Sequence, residues 1–137
     1  MINSRDINQL NPKVAKLCNQ LIEKCKHEGI DILITSSYRD AESQNALYAQ
    51  GRSKTGRKVT NAKGGQSFHN WRCAFDFVPI VNGKAQWYDL DTFNRVGIIG
   101  EKLGLTWAGR WKSFPELAHF QHTGGLTLQD FQNGKDF

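Results

Sequence analysis

Between Cys73 and Val78 the chain reads Cys-Ala-Phe-Asp-Phe-Val, and this stretch restricts the fold more than any other: a carboxylate sits between two phenylalanines, hemmed in by apolar neighbours. Aromatic and β-branched residues predict a strand, whose side chains alternate between faces. Cys73, Phe75 and Phe77 then share one face, and Ala74, Asp76 and Val78 the other. The phenylalanines claim the core. Asp76 must point away from them, to solvent or into a cleft, and a carboxylate so framed calls for a partner, a role a metal ion can fill.

The rest of the pattern supplies what such a strand packs against. Asn11 is a good N-cap and Pro12 fits the first helical position. Val14, Leu17, Cys18, Leu21, Ile22 and Cys25 follow at helical spacing, and Gly29 is the stop. Asp31 to Ser36 reads as a second strand, Asp40 as the cap of a short helix ending near Gly51, and residues 52–65 as loop. Asn82-Gly83 predicts a hairpin returning through Gln86-Trp87-Tyr88. Asp91 is the expected cap of a helix carrying Phe93, Val96, Ile99 and Leu103, with Gly104 as its stop. Strands over 105–107 and 117–121 complete an α+β layout: a small, mostly antiparallel sheet flanked by helices. With 137 residues, one core is expected and a second is not, so residues 1–137 are read as a single domain.

Three cysteines cannot all pair within one chain, and free thiols are expected. Cys18 and Cys25 share a helix face with Val14, Leu21 and Ile22 and read as core fillers. Every apolar run is too short to span a bilayer, and Met1 to Asp6 lacks a secretory pattern, so neither membrane insertion nor self-directed export is expected. The net charge is +5, and much of the excess lies between Arg52 and Lys58 and at Lys63. That segment reads either as a solvated loop or as a surface meeting an anionic substrate. A nucleic-acid partner is not expected, because no aromatic-basic stripe or groove-reading motif accompanies the charge.

His69 lies seven residues before Asp76, just after the Gly64-Gly65-Gln66-Ser67 turn. In the C-terminal strand His119 and Gln121 share one face, with Phe120 on the other. Two imidazoles and a carboxylate, with a fourth position for water, are a recurrent catalytic zinc set. His27 suits a helix C-terminus, and His122 is the substitute ligand should His119 not serve.

Three stretches together resemble the motifs of the VanY-like D-alanyl-D-alanine carboxypeptidase family of zinc peptidases, most of all its L-alanyl-D-glutamate endopeptidase branch, which includes phage endolysins. They are Ser36-Ser37-Tyr38-Arg39 with Gln44; Ser67-Phe68-His69-Asn70 through Ala74-Phe75-Asp76-Phe77; and Trp111-Lys112-Ser113-Phe114 through Glu116-Leu117-Ala118-His119-Phe120-Gln121. The resemblance implies a Hedgehog/D,D-peptidase-like fold with Zn2+ held by His69, Asp76 and His119. It implies Glu116 as catalytic acid/base, Arg39 polarising the substrate, and Ser67 and Gln44 near it. For Arg39 the alternative is a salt bridge to Asp40 or Glu42. Glu116 and His119 are three apart, so strict alternation would oppose them and a bend near Pro115-Glu116 is required. Arg110 and Trp71 depart from the family pattern, at positions expected on the cleft wall.

The implied function is hydrolysis of the L-alanyl-D-glutamate bond in the peptidoglycan stem peptide. An endolysin of this kind is expected to be a monomer that waits in the host cytoplasm until a partner such as a holin releases it to the wall. Two other readings stand beside this one: a D-alanyl-D-alanine carboxypeptidase or dipeptidase with the same zinc site, and a catalytically inactive zinc-containing wall-binding module.

Overall fold

The computed structural model describes all residues from Met1 to Phe137. Five strands, β1 (Asp31–Ser36), β2 (Ala74–Val81), β3 (Lys84–Ala85), β4 (Thr106–Trp107) and β5 (His119–Gln121), form one antiparallel sheet. The order is β1-β2-β5-β4, with β3 pairing the far end of β2. Four helices accompany it: α1 (Pro12–His27), α2 (Ala41–Ala49), α3 (Leu90–Lys102) and α4 (Leu128–Gln132). No helix is long and apolar enough to cross a membrane.

α1 starts as its sequence dictates, with the Asn11 side chain accepting from the Lys13 amide and Pro12 in the first turn. Its stripe of Val14, Cys18, Leu21 and Cys25 is fully buried, and with Phe93, Val96 and Ile99 of α3 it shares one core with Phe75, Phe77 and Phe120 of the sheet. The three sheet phenylalanines stack at 5.3 to 5.6 Å between ring centres. The cysteines are unpaired. Burial pushes the Cys18 and Cys73 thiols up to about 12 and Cys25 to about 11, so they pack as apolar groups.

Several boundaries differ from the sequence expectation, each for a local reason. The Asn82-Gly83 turn forms, but its return strand is Lys84–Ala85; the Gln86 amide makes a last bond to the Pro79 carbonyl, Trp87 and Tyr88 leave the sheet, and Tyr88 is 95% exposed. The cap of α3 is Asp89 rather than Asp91. Its carboxylate accepts from the Thr92 amide at 3.2 Å and hydroxyl at 2.6 Å, which starts the helix two residues earlier. The last strand is limited to three residues because the Leu117 carbonyl accepts from the Trp107 indole at 2.9 Å instead of a sheet neighbour.

Register is what positions the site. Asp76 pairs with Ser36 on one side and His119 on the other, so the three residues lie abreast across β1, β2 and β5. A bulge between Ile34 and Ser36 inserts one residue into β1 and re-aims the Ser36-Ser37 segment.

Candidate metal centre and cleft

On the sheet face opposite the phenylalanine core, β2 presents Asp76 and β5 presents His119 and Gln121. The third side chain comes from a short 3-10 helix, Phe68–Trp71, that precedes β2. Ser67 caps it by accepting from the His69 amide at 3.3 Å, and Asn70 completes a reciprocal cap. His69 and His119 are only 3% and 7% exposed.

Hydrogen bonding assigns each imidazole a tautomer. His69 Nδ1 lies 2.8 Å from the Ser37 carbonyl oxygen, which can only accept, so Nδ1 carries the proton and Nε2 a lone pair. His119 Nε2 faces the Gln121 amide oxygen at 2.9 Å, leaving the lone pair on Nδ1. These two lone pairs both meet Asp76 Oδ1, at 3.2 and 3.0 Å. Three acceptors brought together in a buried place require a cation among them, a proton or a metal ion. Their ligand atoms lie within 4.8 Å of one another, which suits one ion, and the outer partners Ser37 and Gln121 orient the rings. The donor set therefore fits zinc.

The same convergence governs titration without metal. Burial opposes charge on Asp76, but a proton taken up on the imidazole side supplies positive charge and hydrogen bonds that outweigh burial and hold its carboxyl well below the usual range. Burial likewise opposes protonation of His119, yet Asp76, Gln121 and Glu116 together raise its pKa.

Glu116 and Arg39 flank this centre. A turn through Phe114, whose φ is +53°, reverses the chain, and the Glu116 amide donates to the Ala108 carbonyl. That is the required bend, and it brings Glu116 Oε2 to 3.7 Å from His119 Nδ1. Arg39 forms no ion pair with Asp40, which caps α2, or with Glu42. Its guanidinium donates to Gln44 Oε1 at 3.0 Å, Ser36 Oγ at 3.1 Å and Asn3 Oδ1 at 3.4 Å. Burial lowers its pKa, an effect partly offset by the charges of Asp76 and Glu116.

These groups share a cleft of about 750 Å³, whose lining includes Arg39, Gln44, Ser67, His69, Asp76, Trp111, Glu116 and His119. All seven residues singled out from the sequence are thus brought together. Gln44 is 1% exposed, with its amide nitrogen donating to the Ala62 carbonyl, so its contact within the cleft is with Arg39. His122 is placed elsewhere, with its ring edge on Phe137. Arg110 and Trp71 do not line the cleft as expected. Arg110 makes a two-pronged ion pair with Glu101, and Trp71 stacks on Phe131 while its indole donates to the Gly65 carbonyl. The positioning groups Asn3, Ser36, Ser37 and Gln121 were not assigned from sequence. Gln121 shares a strand face with His119, and Ser36 and Ser37 lie in the first motif, whereas Asn3 carried no signal.

A buried His/Asp/His set, a free carboxylate and a guanidinium on one groove form a metallopeptidase layout. The comparisons agree. Residues 7–116 match the family described as VanY: D-alanyl-D-alanine carboxypeptidase, and the chain belongs to that family of metallopeptidases. It is 34% identical to the peptidoglycan L-alanyl-D-glutamate endopeptidase CwlK of Bacillus subtilis (strain 168), over 83% of this chain and 74% of that one. It is 27% identical to the L-alanyl-D-glutamate peptidase of Listeria phage A118, over 85% of this chain but only 39% of the phage protein. In fold it is similar to the Serratia marcescens L-Ala D-Glu endopeptidase ChiX, with a TM-score of 0.67, 19% identity, and 95% and 92% of the two chains covered. It is also similar to a Zn(II) complex of the vancomycin-resistance D,D-pentapeptidase VanY, with a TM-score of 0.65, 14% identity, and 97% and 90% covered.

Proposed function

We propose that this chain, as one folded unit, is a zinc-dependent peptidoglycan hydrolase cutting the stem peptide between L-alanine and D-glutamate. His69, Asp76 and His119 hold the metal, Glu116 is the general acid/base, and Arg39 polarises the scissile carbonyl. The observation that carries this reading is the convergence of two oriented imidazole lone pairs on Asp76 within reach of Glu116. Bound zinc supplies Lewis acidity and brings the pKa of a water down to about 7.

Glu116 stands where a carboxylate can take the proton of the attacking water and return it to the leaving amine. Arg39, held by Gln44, Ser36 and Asn3, offers a fixed positive charge to the oxygen that becomes negative as the carbonyl is attacked. Gln44 serves the substrate through Arg39. The Ser67 hydroxyl, half-buried on the cleft wall, is placed to hydrogen-bond the peptide backbone.

The choice of bond is supported by the Bacillus and Listeria phage relatives, both named for L-alanyl-D-glutamate cleavage. The phage origin of the Listeria relative supports a role in lysis; the motif resemblance alone adds a monomer that waits in the host cytoplasm until a holin-type partner releases it to the wall. Cleavage at D-alanyl-D-alanine is the second reading, favoured by the family description. Zinc content of the purified protein, with mass spectrometry of products released from peptidoglycan with and without chelator, tests both. About one zinc per chain and chelator-sensitive new L-alanine and D-glutamate termini are expected. Release of D-alanine instead would move the assignment to the carboxypeptidase reading, and a metal-free active protein would end it.

A further inference from the structure

The positive charge of this chain is concentrated in one segment. From Ser43 to Phe75 there are six cations, Arg52, Lys54, Arg57, Lys58, Lys63 and Arg72, and no Asp or Glu, while the whole chain carries only +5. Five of the six, from Arg52 to Lys63, lie in a strap after α2 that runs directly into one wall of the cleft, where Val59, Thr60, Asn61 and Ala62 are lining residues.

The strap is a folded structure. Arg52 Nη1 donates to the carbonyls of Tyr48 at 2.7 Å and Thr60 at 3.0 Å, and Nη2 donates to Asn61 Oδ1 at 3.2 Å. The Gln50 amide donates to the Arg57 carbonyl at 2.8 Å, and Gln50 bridges to Lys54. Gly51, at φ +77°, lets the Lys58 backbone approach where a Cβ would lie 2.7 Å from its nitrogen. Arg52 is thereby used internally. Lys54, Arg57 and Lys58 are exposed, and none belongs to an ion pair.

We propose that Lys54, Arg57 and Lys58 form a docking surface for the free carboxylates of stem peptides adjoining the one in the cleft, an inference that rests on the wall-peptidase reading above. Exposed, unpaired cations on a backbone tied down by Arg52 and Gln50 complement a substrate whose peptides carry repeated carboxylates, and the chain runs from Lys58 straight into the lining residues Val59 to Ala62, so a substrate in the cleft extends past them. A single-stranded nucleic acid is disfavoured. Tyr48, the aromatic at the base of the strap, has Arg52 3.9 Å and Lys63 5.3 Å from its ring centre, so no base can stack freely there.

The test uses the full chain carrying Glu116→Gln, which binds without cutting, and insoluble peptidoglycan stripped of phosphodiester polymers by hydrofluoric acid. Adding Lys54→Gln, Arg57→Gln and Lys58→Gln together is expected to weaken retention on the order of tenfold at low salt, with the difference lost at high salt. The charge-conserving set Lys54→Arg, Arg57→Lys and Lys58→Arg is expected to bind like its parent. Amidating the wall carboxylates is expected to bring the parent down to the level of the neutral variant. In the Glu116 background, the neutral variant is expected to cut a short soluble stem peptide at the parental rate. Equal retention of neutral variant and parent overturns the docking surface, as does retention that vanishes once phosphodiester polymers are stripped. Tighter binding to single-stranded DNA than to the wall at the same salt overturns it too. Failure of the unsubstituted chain, with Glu116 in place, to cut any stem peptide strikes the peptidase reading instead.

Discussion

Glu116 sits 3.7 Å from His119 Nδ1 without being part of the His/Asp/His set, so under the proposed roles its loss would separate chemistry from metal binding. Glu116→Gln is expected to keep zinc while lowering kcat on the order of 100-fold or more, checked by metal analysis beside turnover of a stem peptide. His119→Ala is expected to lose zinc, whereas His122→Ala keeps it, because His122 packs against Phe137 away from the centre. Acid and base act on this centre with a definite sign. His119 has a raised pKa in the metal-free protein, so its contribution is fully present below about pH 6.5, its unfolded value, and fades as pH rises through the folded value. Asp76, whose pKa is lowered, contributes above its unfolded value near 4 and loses that contribution only in stronger acid. The metal-free protein is therefore expected to melt at a lower temperature at about pH 8.5 than at about pH 6, while zinc removes that decline because metal replaces the proton among the three acceptors.

α3 shows how an element far from the chemistry holds it. The helix carries Gly97 and Gly100 on its buried face, and a Cβ at either would overlap the ring of Trp107 or of Phe120 respectively. Trp107 lies against Gly97, and its indole N–H donates to the Leu117 carbonyl, next to the turn that carries Glu116. Gly97→Ala is expected to cost about 1 to 3 kcal/mol in denaturant unfolding, despite the better helix propensity of alanine, because the indole must move. Turnover is expected to fall further than zinc content, since the displaced loop holds Glu116, the proposed general base, and neither His69 nor Asp76.

At the scale of the whole molecule, α1 and α3 cover one face of the sheet and the cleft opens on the other, between the sheet, α2 and α4, so a metal held by His69, Asp76 and His119 would tie β2, β5 and the 3-10 helix together. Zinc bound only by the folded state adds stability by mass action, about 2.7 kcal/mol at a free concentration one hundred times the dissociation constant. Thermal unfolding is expected to shift upward on adding zinc to the metal-free protein and not to shift for His119→Ala. A melting temperature indifferent to zinc in the parent would remove the metal from its proposed place.

Periodicity in the sequence determined the apolar stripe of α1, the core face of α3 and the alternation in β2 and β5. It thereby assigned Phe75, Phe77 and Phe120 to one side and Asp76, His119 and Gln121 to the other. The motif resemblance added His69, Glu116 and Arg39 to that side. Tertiary structure alone decided that Ser36, Asp76 and His119 stand abreast, that a bulge turns Ser37 toward His69, and that Asn3 reaches Arg39 from 36 residues away. Tertiary structure likewise removed Arg110 and Trp71 from the cleft by giving them nearer partners. The division has one physical cause. Side-chain periodicity is a local property of the backbone, whereas strand neighbours, register and long-range hydrogen bonds are settled only when distant segments bury their faces against one another.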